Sequence, residues 1–84
     1  MNNKPTILQI LSIAEESEYI GIKSPEGELL AHGIVKDALD GALDKEQLGC
    51  HVEKLGMDEC TVKPYRIPVL TIAREDYKAE MWAL

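Results

Sequence analysis

Phe is absent from this chain, and its aromatic side chains amount to three Tyr and one Trp. Aliphatic Ile, Leu and Val must therefore supply most of the apolar area that folding buries. A chain of 84 residues is short, and the core of so small a domain is thin. We interpret residues 1–84 as a single domain, for which a homodimer is one way to bury more surface.

Cysteine is scarce, and long apolar runs are missing. Two residues, Cys50 and Cys60, do not make a disulfide framework, and we interpret both as reduced thiols. The apolar stretch from Ile7 to Ala14 is interrupted by Gln9 and Ser12 and is too short for a secretory signal or a membrane span. These absences predict a cytoplasmic protein that does not act on a membrane.

Motifs for enzymatic chemistry are also missing. The sequence has neither a G-x-G-x-x-G nor a G-x-x-x-x-G-K-[ST] pattern, and its six glycines are dispersed. Four residues of the types that bind zinc are present, His32, Cys50, His51 and Cys60, but not in the close pairs that structural zinc sites use. Acidic neighbours should raise the pKa of either thiol, which disfavours a cysteine nucleophile. We expect no enzymatic activity, no cofactor and no bound metal.

Negative charge is what the sequence has in excess. The net charge is −6, and residues 15–60 alone carry 12 acidic and 4 basic side chains, a balance of −8. Such a surface repels phosphate backbones and anionic membranes. We therefore expect the partner to be a protein with a basic surface, with no direct contact to nucleic acid.

The periodicity of apolar residues predicts the order helix, hairpin, helix, strand, strand and a C-terminal turn or helix. The predicted segments are a helix from Thr6 to Ala14 capped by Thr6, hairpin strands 19–23 and 28–33 joined by the turn 24–27, a helix at 34–43, strands at 48–55 and 67–74, and the tail 77–84. This order indicates an α+β fold, a small antiparallel sheet of three to four strands with two short helices on one face.

The sequence leaves the register of the hairpin open and restricts where one stretch of the chain can lie in the sheet. In the hairpin, either Leu29 and Ala31 or Leu30 and His32 join the face of Ile20 and Ile22, depending on the turn. Further along, Pro64 and Pro68 bracket a stretch that cannot be a central strand, because proline cannot donate to a ladder.

The strongest candidate for recognition is a stripe of carboxylates on the second helix. Asp37, Asp40 and Asp44 lie at i, i+3 and i+7, opposite the apolar positions, and Glu46 extends them. The stripe could imitate a run of phosphates and occupy a basic groove on a target protein, and Glu15 and Glu16 add charge of the same sign. The alternative is a solvated helix face.

The C-terminal residues offer an apolar anchor. Tyr77, Met81 and Leu84 recur at helical spacing with Trp82 beside them, and such side chains are common in binding hot spots. Tyr77 and Trp82 are therefore candidate partner-binding residues. The alternative, which we favour at this chain length, is that the tail docks on the protein's own core or on a second copy.

Four segments of the chain carry a family resemblance: Thr6-Ile-Leu-Gln-Ile-Leu, Tyr19-Ile-Gly-Ile-Lys, Gly27-Glu-Leu-Leu-Ala-His-Gly33 and Val69-Leu-Thr-Ile. Together they resemble small acidic α/β proteins of phages and mobile elements of Gram-positive bacteria. The resemblance covers most of the chain at the level of fold. It implies an inhibitor of host defence, of the anti-CRISPR kind, without naming a target or a functional residue.

Two other functions remain as alternatives. One is an oligomeric sponge that sequesters a nucleotide-like signal in a pocket lined by the basic residues of the C-terminal third, Lys63, Arg66, Arg74 and Lys78. The other is an accessory subunit that completes a larger assembly.

Overall fold

Short helices and turns alternate with strands along the chain. The computed structural model describes residues 4–59 and 66–82, apart from the side chains of Asp58 and Glu59. The elements are α1 Ile7–Ile13, β1 Tyr19–Lys23, β2 Leu29–Ile34, α2 Val35–Asp37 continued by a π-helical turn Ala38–Ala42, α3 Lys45–Leu48, β3 Val52–Glu59, β4 Arg66–Ile72, a 3-10 turn Arg74–Asp76 and α4 Ala79–Trp82.

The strands form one mixed sheet in the order β2-β1-β4-β3. The outer pairs β1/β2 and β3/β4 are antiparallel, and the central pair β1/β4 is parallel. The α+β class and the four strands confirm the prediction, whereas the expected all-antiparallel sheet is corrected to a mixed one. The reason is that turn chemistry dictates antiparallel pairing within each hairpin but does not dictate how two hairpins dock on each other.

The first helix begins where the sequence predicts. The Thr6 hydroxyl accepts from the Gln9 backbone N–H at 3.1 Å, and the Gln9 side chain accepts from the Thr6 N–H at 2.8 Å. This capping box satisfies two amide protons that a helix start leaves without partners. Ile7 and Leu11 are buried, but Ile13 is 88% exposed. The apolar face of α1 is therefore wider than the core beneath it.

The predicted hairpin is confirmed, and a bulge decides its register. Gly27 closes the turn with φ 95°, and its N–H donates to the Ser24 carbonyl at 2.9 Å. Pairing shifts by one residue beside Ile22, which lies opposite Ala31. As a result Leu30 and Ala31 both pack against the main core. Neither of the two regular registers applies, because a bulge turns two consecutive side chains toward one face.

The second helix is shorter than predicted, and this corrects the acidic stripe. The helix bends into a π-turn, Gly41 takes φ 131°, and Leu43 is extended. Asp37 and Asp40 therefore lie on this helix, but Asp44 lies beyond its end. The stripe of three carboxylates on one helix face is wrong, because Gly41 breaks the helix before the third residue.

Asp44 instead begins a helix that the sequence reading missed. Its carboxylate accepts from the Gln47 N–H at 2.8 Å, and the Gln47 side chain accepts from the Asp44 N–H at 2.9 Å. The predicted strand at 48–55 consequently begins only at Val52, as β3. Burial alternates across this boundary, since Cys50 and Val52 are buried and His51 is half-buried.

Pro68 lies within β4, which is a central strand between β1 and β3, so the expectation that the stretch from Pro64 to Pro68 cannot be a central strand is wrong for its described part. Strand β4 pairs with β3 from Arg66 to Ile72 but with β1 only from Val69 to Thr71. At Pro68, β3 is therefore the one described strand that pairs with β4. The missing N–H of this proline does not interrupt the pairing of β4 with β1. Pro64, the other bracket of that stretch, lies outside the described residues.

The main core lies between the sheet and the helices, as predicted for helices on one face. Its buried members come from both layers: Ile7, Leu11, Ile20, Ile22, Val35, Ala38, Leu43, Cys50, Val52, Leu70, Ile72 and Trp82. A smaller cluster of Ile67 and Val69, with Tyr19 against it, lies on the other face of the sheet. No helix in residues 4–59 and 66–82 has the length and apolarity that crossing a membrane requires.

Candidate protein-interaction surface

Four exposed carboxylates lie on two segments that meet at the start of α2. The turn after α1 carries Glu15 and Glu16, and the Lys36 N–H donates to the Glu16 carbonyl at 3.0 Å. This bond places the turn against the first residues of α2, close to Asp37 and Asp40. All four acidic side chains are exposed. We call Glu15, Glu16, Asp37 and Asp40 the acidic patch.

Pairing inside the acidic patch is weak. The Lys36 ammonium lies 3.8 Å from the Asp40 carboxylate, and the two side chains are 59% and 66% exposed. An ion pair so long and so open to water is screened and contributes little to stability. The patch therefore projects net negative charge, as the sequence predicts for this part of the chain. The other two predicted carboxylates, Asp44 and Glu46, are also exposed but belong to α3, where Asp44 serves as the helix cap.

An apolar groove of about 420 Å³ adjoins this turn. It lies between the end of α1 and the strands β3 and β4, and of its described lining only Glu18 is charged. The lining residues are Ile10, Leu11, Ile13, Ala14, Glu18, Ile20, Leu55, Gly56, Met57, Pro68 and Leu70. We call this feature the β3 groove.

Three side chains of the β3 groove are open to solvent. Ile13 is 88% exposed, Leu55 60% and Met57 58%. Leu55 and Met57 alternate along β3 opposite Leu70 and Pro68, so both lie on the helix side of the sheet. Exposed aliphatic side chains grouped around a concavity are typical of interaction sites. This site was not predicted from the sequence. The apolar face of α1 could have indicated it, because that face is too wide to be covered by the core alone.

A second groove of about 390 Å³ lies at the opposite edge of the sheet, between β2 and α2. Ile34 is 39% exposed there, and Asp37 of the acidic patch lies on its border. Asp37 of the acidic patch therefore borders this second groove, whereas Glu15 and Glu16 follow Ala14, which lines the β3 groove.

The candidate anchors of the tail face inward. Trp82 is 8% exposed and belongs to the main core, and Tyr77 and Met81 pack against that core. Docking on the protein's own core, one of the two alternatives favoured from the sequence, describes these three side chains. Trp82 therefore has almost no surface left to offer a partner, which corrects its assignment as an anchor. Leu84 lies outside the described residues.

A polar cluster joins the start of β3 to the 3-10 turn. One carboxylate oxygen of Asp76 accepts from the His51 backbone N–H at 2.7 Å and lies 2.6 Å from His51 Nδ1. The His51 N–H bond, opposed by partial burial and aided by the imidazole, holds the pKa of Asp76 below its ordinary value. Asp76 thus orients the imidazole of His51. An oriented histidine can act as a general base, but it also needs a group from which it takes a proton.

The neighbouring thiol does not complete a nucleophilic site. Cys50 is 3% exposed, and its Sγ lies 3.5 Å from the Glu46 carbonyl oxygen. Burial, together with the charges of Asp76, Asp44 and Glu46, raises the pKa of this thiol. A raised pKa keeps the thiol protonated, whereas a nucleophile needs the thiolate.

The three described residues of the candidate zinc set, His32, Cys50 and His51, do not converge. His32 is on β2 and His51 directly precedes β3, the two outer strands, which are about 14 Å apart for a spacing of three strands. Cys60 lies outside the described residues. Within those residues, no three His, Cys, Asp or Glu side chains group so that they could hold a metal ion.

Comparisons with protein-family models, with curated proteins and with solved structures found no match to this chain. The acidic patch and the β3 groove therefore provide the geometry from which a function is inferred.

Proposed function

We propose that this chain is a non-enzymatic protein-interaction module that binds a basic surface of a partner protein and blocks it. The single observation that supports this most is the acidic patch, whose exposed carboxylates lie next in sequence to an apolar groove and include Asp40, which Lys36 pairs with only loosely at 3.8 Å. Charge at the rim raises the rate of encounter and the specificity, and a desolvated apolar contact supplies affinity.

The inhibitory role within this proposal comes from the resemblance to acidic proteins of phages and mobile elements. A basic surface that normally binds nucleic acid, such as one in a cytoplasmic host defence complex, would attract these carboxylates in place of phosphates. The buried Cys50 thiol, whose pKa is raised, supports binding in preference to catalysis.

The sponge for a nucleotide-like signal is less well supported. Arg74 pairs with Glu26 at 2.8 Å, and Lys78 lines a small cleft together with Glu75 and Asp76. Carboxylates around a lysine repel the phosphates of a nucleotide. Lys63 lies outside the described residues, and Arg66 is exposed at the start of β4.

The proposal is tested by purifying the tagged full chain from its native host and measuring the affinity of any captured protein with purified components. The patch variant is Glu15→Gln with Glu16→Gln. The matched control is Glu26→Gln with Glu28→Gln, which changes net charge equally in the β1/β2 turn. We expect the patch variant to lose about 5- to 30-fold in affinity, as two surface pairs are worth roughly 1–2 kcal/mol.

The control variant should stay within about twofold of the unmodified chain, and affinity should fall as salt rises. An affinity that is insensitive to both the patch charges and salt would contradict the proposal. Equal losses in the two variants would mean that net charge, and not this surface, matters.

A further inference from the structure

Strand β3 is an outer strand of the sheet. It pairs with β4 on one side. On its other side the segment before α1 covers the start of the strand, where the Val52 N–H donates to the Pro5 carbonyl at 2.8 Å, and no described strand pairs with the residues that follow. An outer strand offers a row of unpaired N–H and C=O groups, which is a template for a further strand. The β3 groove lies directly beside that row, on the helix side of the sheet.

The middle of β3 lacks the features that usually protect an edge. A bulge lies near its start, between Val52 and Lys54, but Leu55, Gly56 and Met57 follow without a charge. A side chain built at Gly56 would meet nothing within 4 Å. An incoming strand would therefore find aliphatic side chains on the groove side and open space on the other.

The negative charge around the β3 groove determines which kind of chain segment this strand edge attracts. Glu18 lines the groove, and Glu15 and Glu16 follow Ala14, which also lines it. A second copy of this chain would bring its own carboxylates and a net charge of −6 to the same place. A segment flanked by Lys or Arg would instead be attracted.

We propose that the β3 groove binds an extended segment of the partner, with alternating aliphatic residues and flanking Lys or Arg, as a fifth strand beside β3. Every second side chain of such a strand points to the same face, so the aliphatic ones enter the groove between Leu55 and Ile13. The flanking basic residues reach the carboxylates of the turn. This inference rests on the proposed function and names the chemistry of the partner's segment.

The probe is a synthetic nine-residue peptide, Lys-Lys-Val-Thr-Val-Thr-Val-Lys-Lys, titrated into the full chain and followed by amide NMR and hydrogen exchange. We expect shifts in α1 and β3 and slower exchange of amides at residues 54–57. A peptide with Glu in place of Lys should bind at least about tenfold more weakly, since it opposes the acidic patch.

Backbone methylation separates strand addition from simple apolar contact. Successive residues of a strand direct their N–H groups to opposite edges. Of two peptides, one N-methylated at the valines and one at the threonines, we expect one to lose binding and the other to keep it. Equal binding by both would overturn the inference, as would shifts confined to residues outside α1 and β3.

Two variants with matched controls test the groove itself. Ile13→Ser and Leu55→Ser remove exposed side chains, so the fold should survive, and each should weaken peptide binding roughly fivefold or more. The controls are Leu8→Ser, on the same helix but outside the groove, and Leu29→Ser, on the opposite outer strand. They should bind as the unmodified chain does, and an equal loss in the controls would contradict the assignment.

The failures of the two proposals can be told apart. If Ile13→Ser and Leu55→Ser keep full affinity for the captured partner while the Glu15/Glu16 variant loses it, the groove inference is wrong and the proposed function stands. If the Glu15/Glu16 variant also keeps full affinity at every salt concentration, the proposed function fails.

Discussion

Removal of the Asp76 carboxylate should destabilise the protein more than the loss of an ordinary surface acid. Asp76 lies in the turn after β4, and His51 directly precedes β3. The carboxylate accepts from the His51 backbone N–H at 2.7 Å and lies 2.6 Å from its Nδ1. The Ala73 N–H also donates to the His51 carbonyl at 2.9 Å. Asp76→Ala removes the side-chain half of this connection between the two strands.

The expected magnitude follows from the two contacts and their exposure. Hydrogen bonds to charged groups contribute roughly 1.5–3 kcal/mol each when protected from water. The Asp76 side chain is 29% exposed, so solvent screening reduces that sum, and we expect Asp76→Ala to cost about 2 kcal/mol. For a domain of this size such a loss lowers Tm by roughly 8–16 °C. Asp76→Asn retains an acceptor for the N–H and should cost less.

The pH dependence has a definite sign. The pKa of Asp76 is lower in the folded protein than its ordinary value of 3.8, chiefly because the ionised carboxylate accepts the His51 N–H. Its contribution is therefore fully present above pH 3.8 and is lost as the pH falls through the lower, folded value. Urea unfolding of the unmodified chain and Asp76→Ala should show a difference at pH 7 that shrinks below about pH 4. Equal stability at pH 7, or a difference that does not shrink in acid, would refute the reasoning.

Three further outcomes can be measured with the same protein. Gly41→Ala should lower the free energy of unfolding in urea by roughly 1–3 kcal/mol, because φ is 131° at this position. Gly56→Ala, with open space at its Cβ, should be neutral or stabilise by up to about 1 kcal/mol. Equal effects of the two substitutions would argue against the observed backbone. Leu11→Ala should cost about 2–5 kcal/mol by the same measurement, because this side chain is 1% exposed, and a loss under 1 kcal/mol would contradict its place in the core. A Cys60→Ser variant leaves Cys50 as the one thiol of the sequence. Cys50 should react with a thiol reagent much more slowly in the folded than in the urea-unfolded protein, because burial raises its pKa. Equal rates would contradict that burial.

Local chemistry predicted the elements that depend on neighbouring residues. The Thr6 cap and the turn closed by Gly27 need information from only a few positions, and both were found in the sequence. The Asp44 cap had the same kind of signal. It was missed because Asp44 had been assigned to a helix face, although Gln47 three residues later completes a capping box.

Features that depend on tertiary packing could not be predicted in this way. The parallel pairing of β1 with β4 joins residues nearly fifty positions apart, and nothing local specifies it. The β3 groove depends on that pairing, because it forms only when β4 places β3 at the outer edge of the sheet beside α1. Trp82 appeared as an exposed anchor for the same reason, since its burial depends on where the tail docks.

The existence of the β3 groove follows from the lengths of the elements. Helix α1 has 7 residues and spans about 10 Å, whereas β3 has 8 residues and spans about 26 Å. A helix this short leaves part of the longer strand uncovered, and Leu55 and Met57 lie in that part. An exposed apolar edge also promotes association between copies. The carboxylates that follow Ala14 oppose such self-association by repulsion and at the same time attract a basic segment, so one cluster of charge both excludes the wrong occupant and selects the right one.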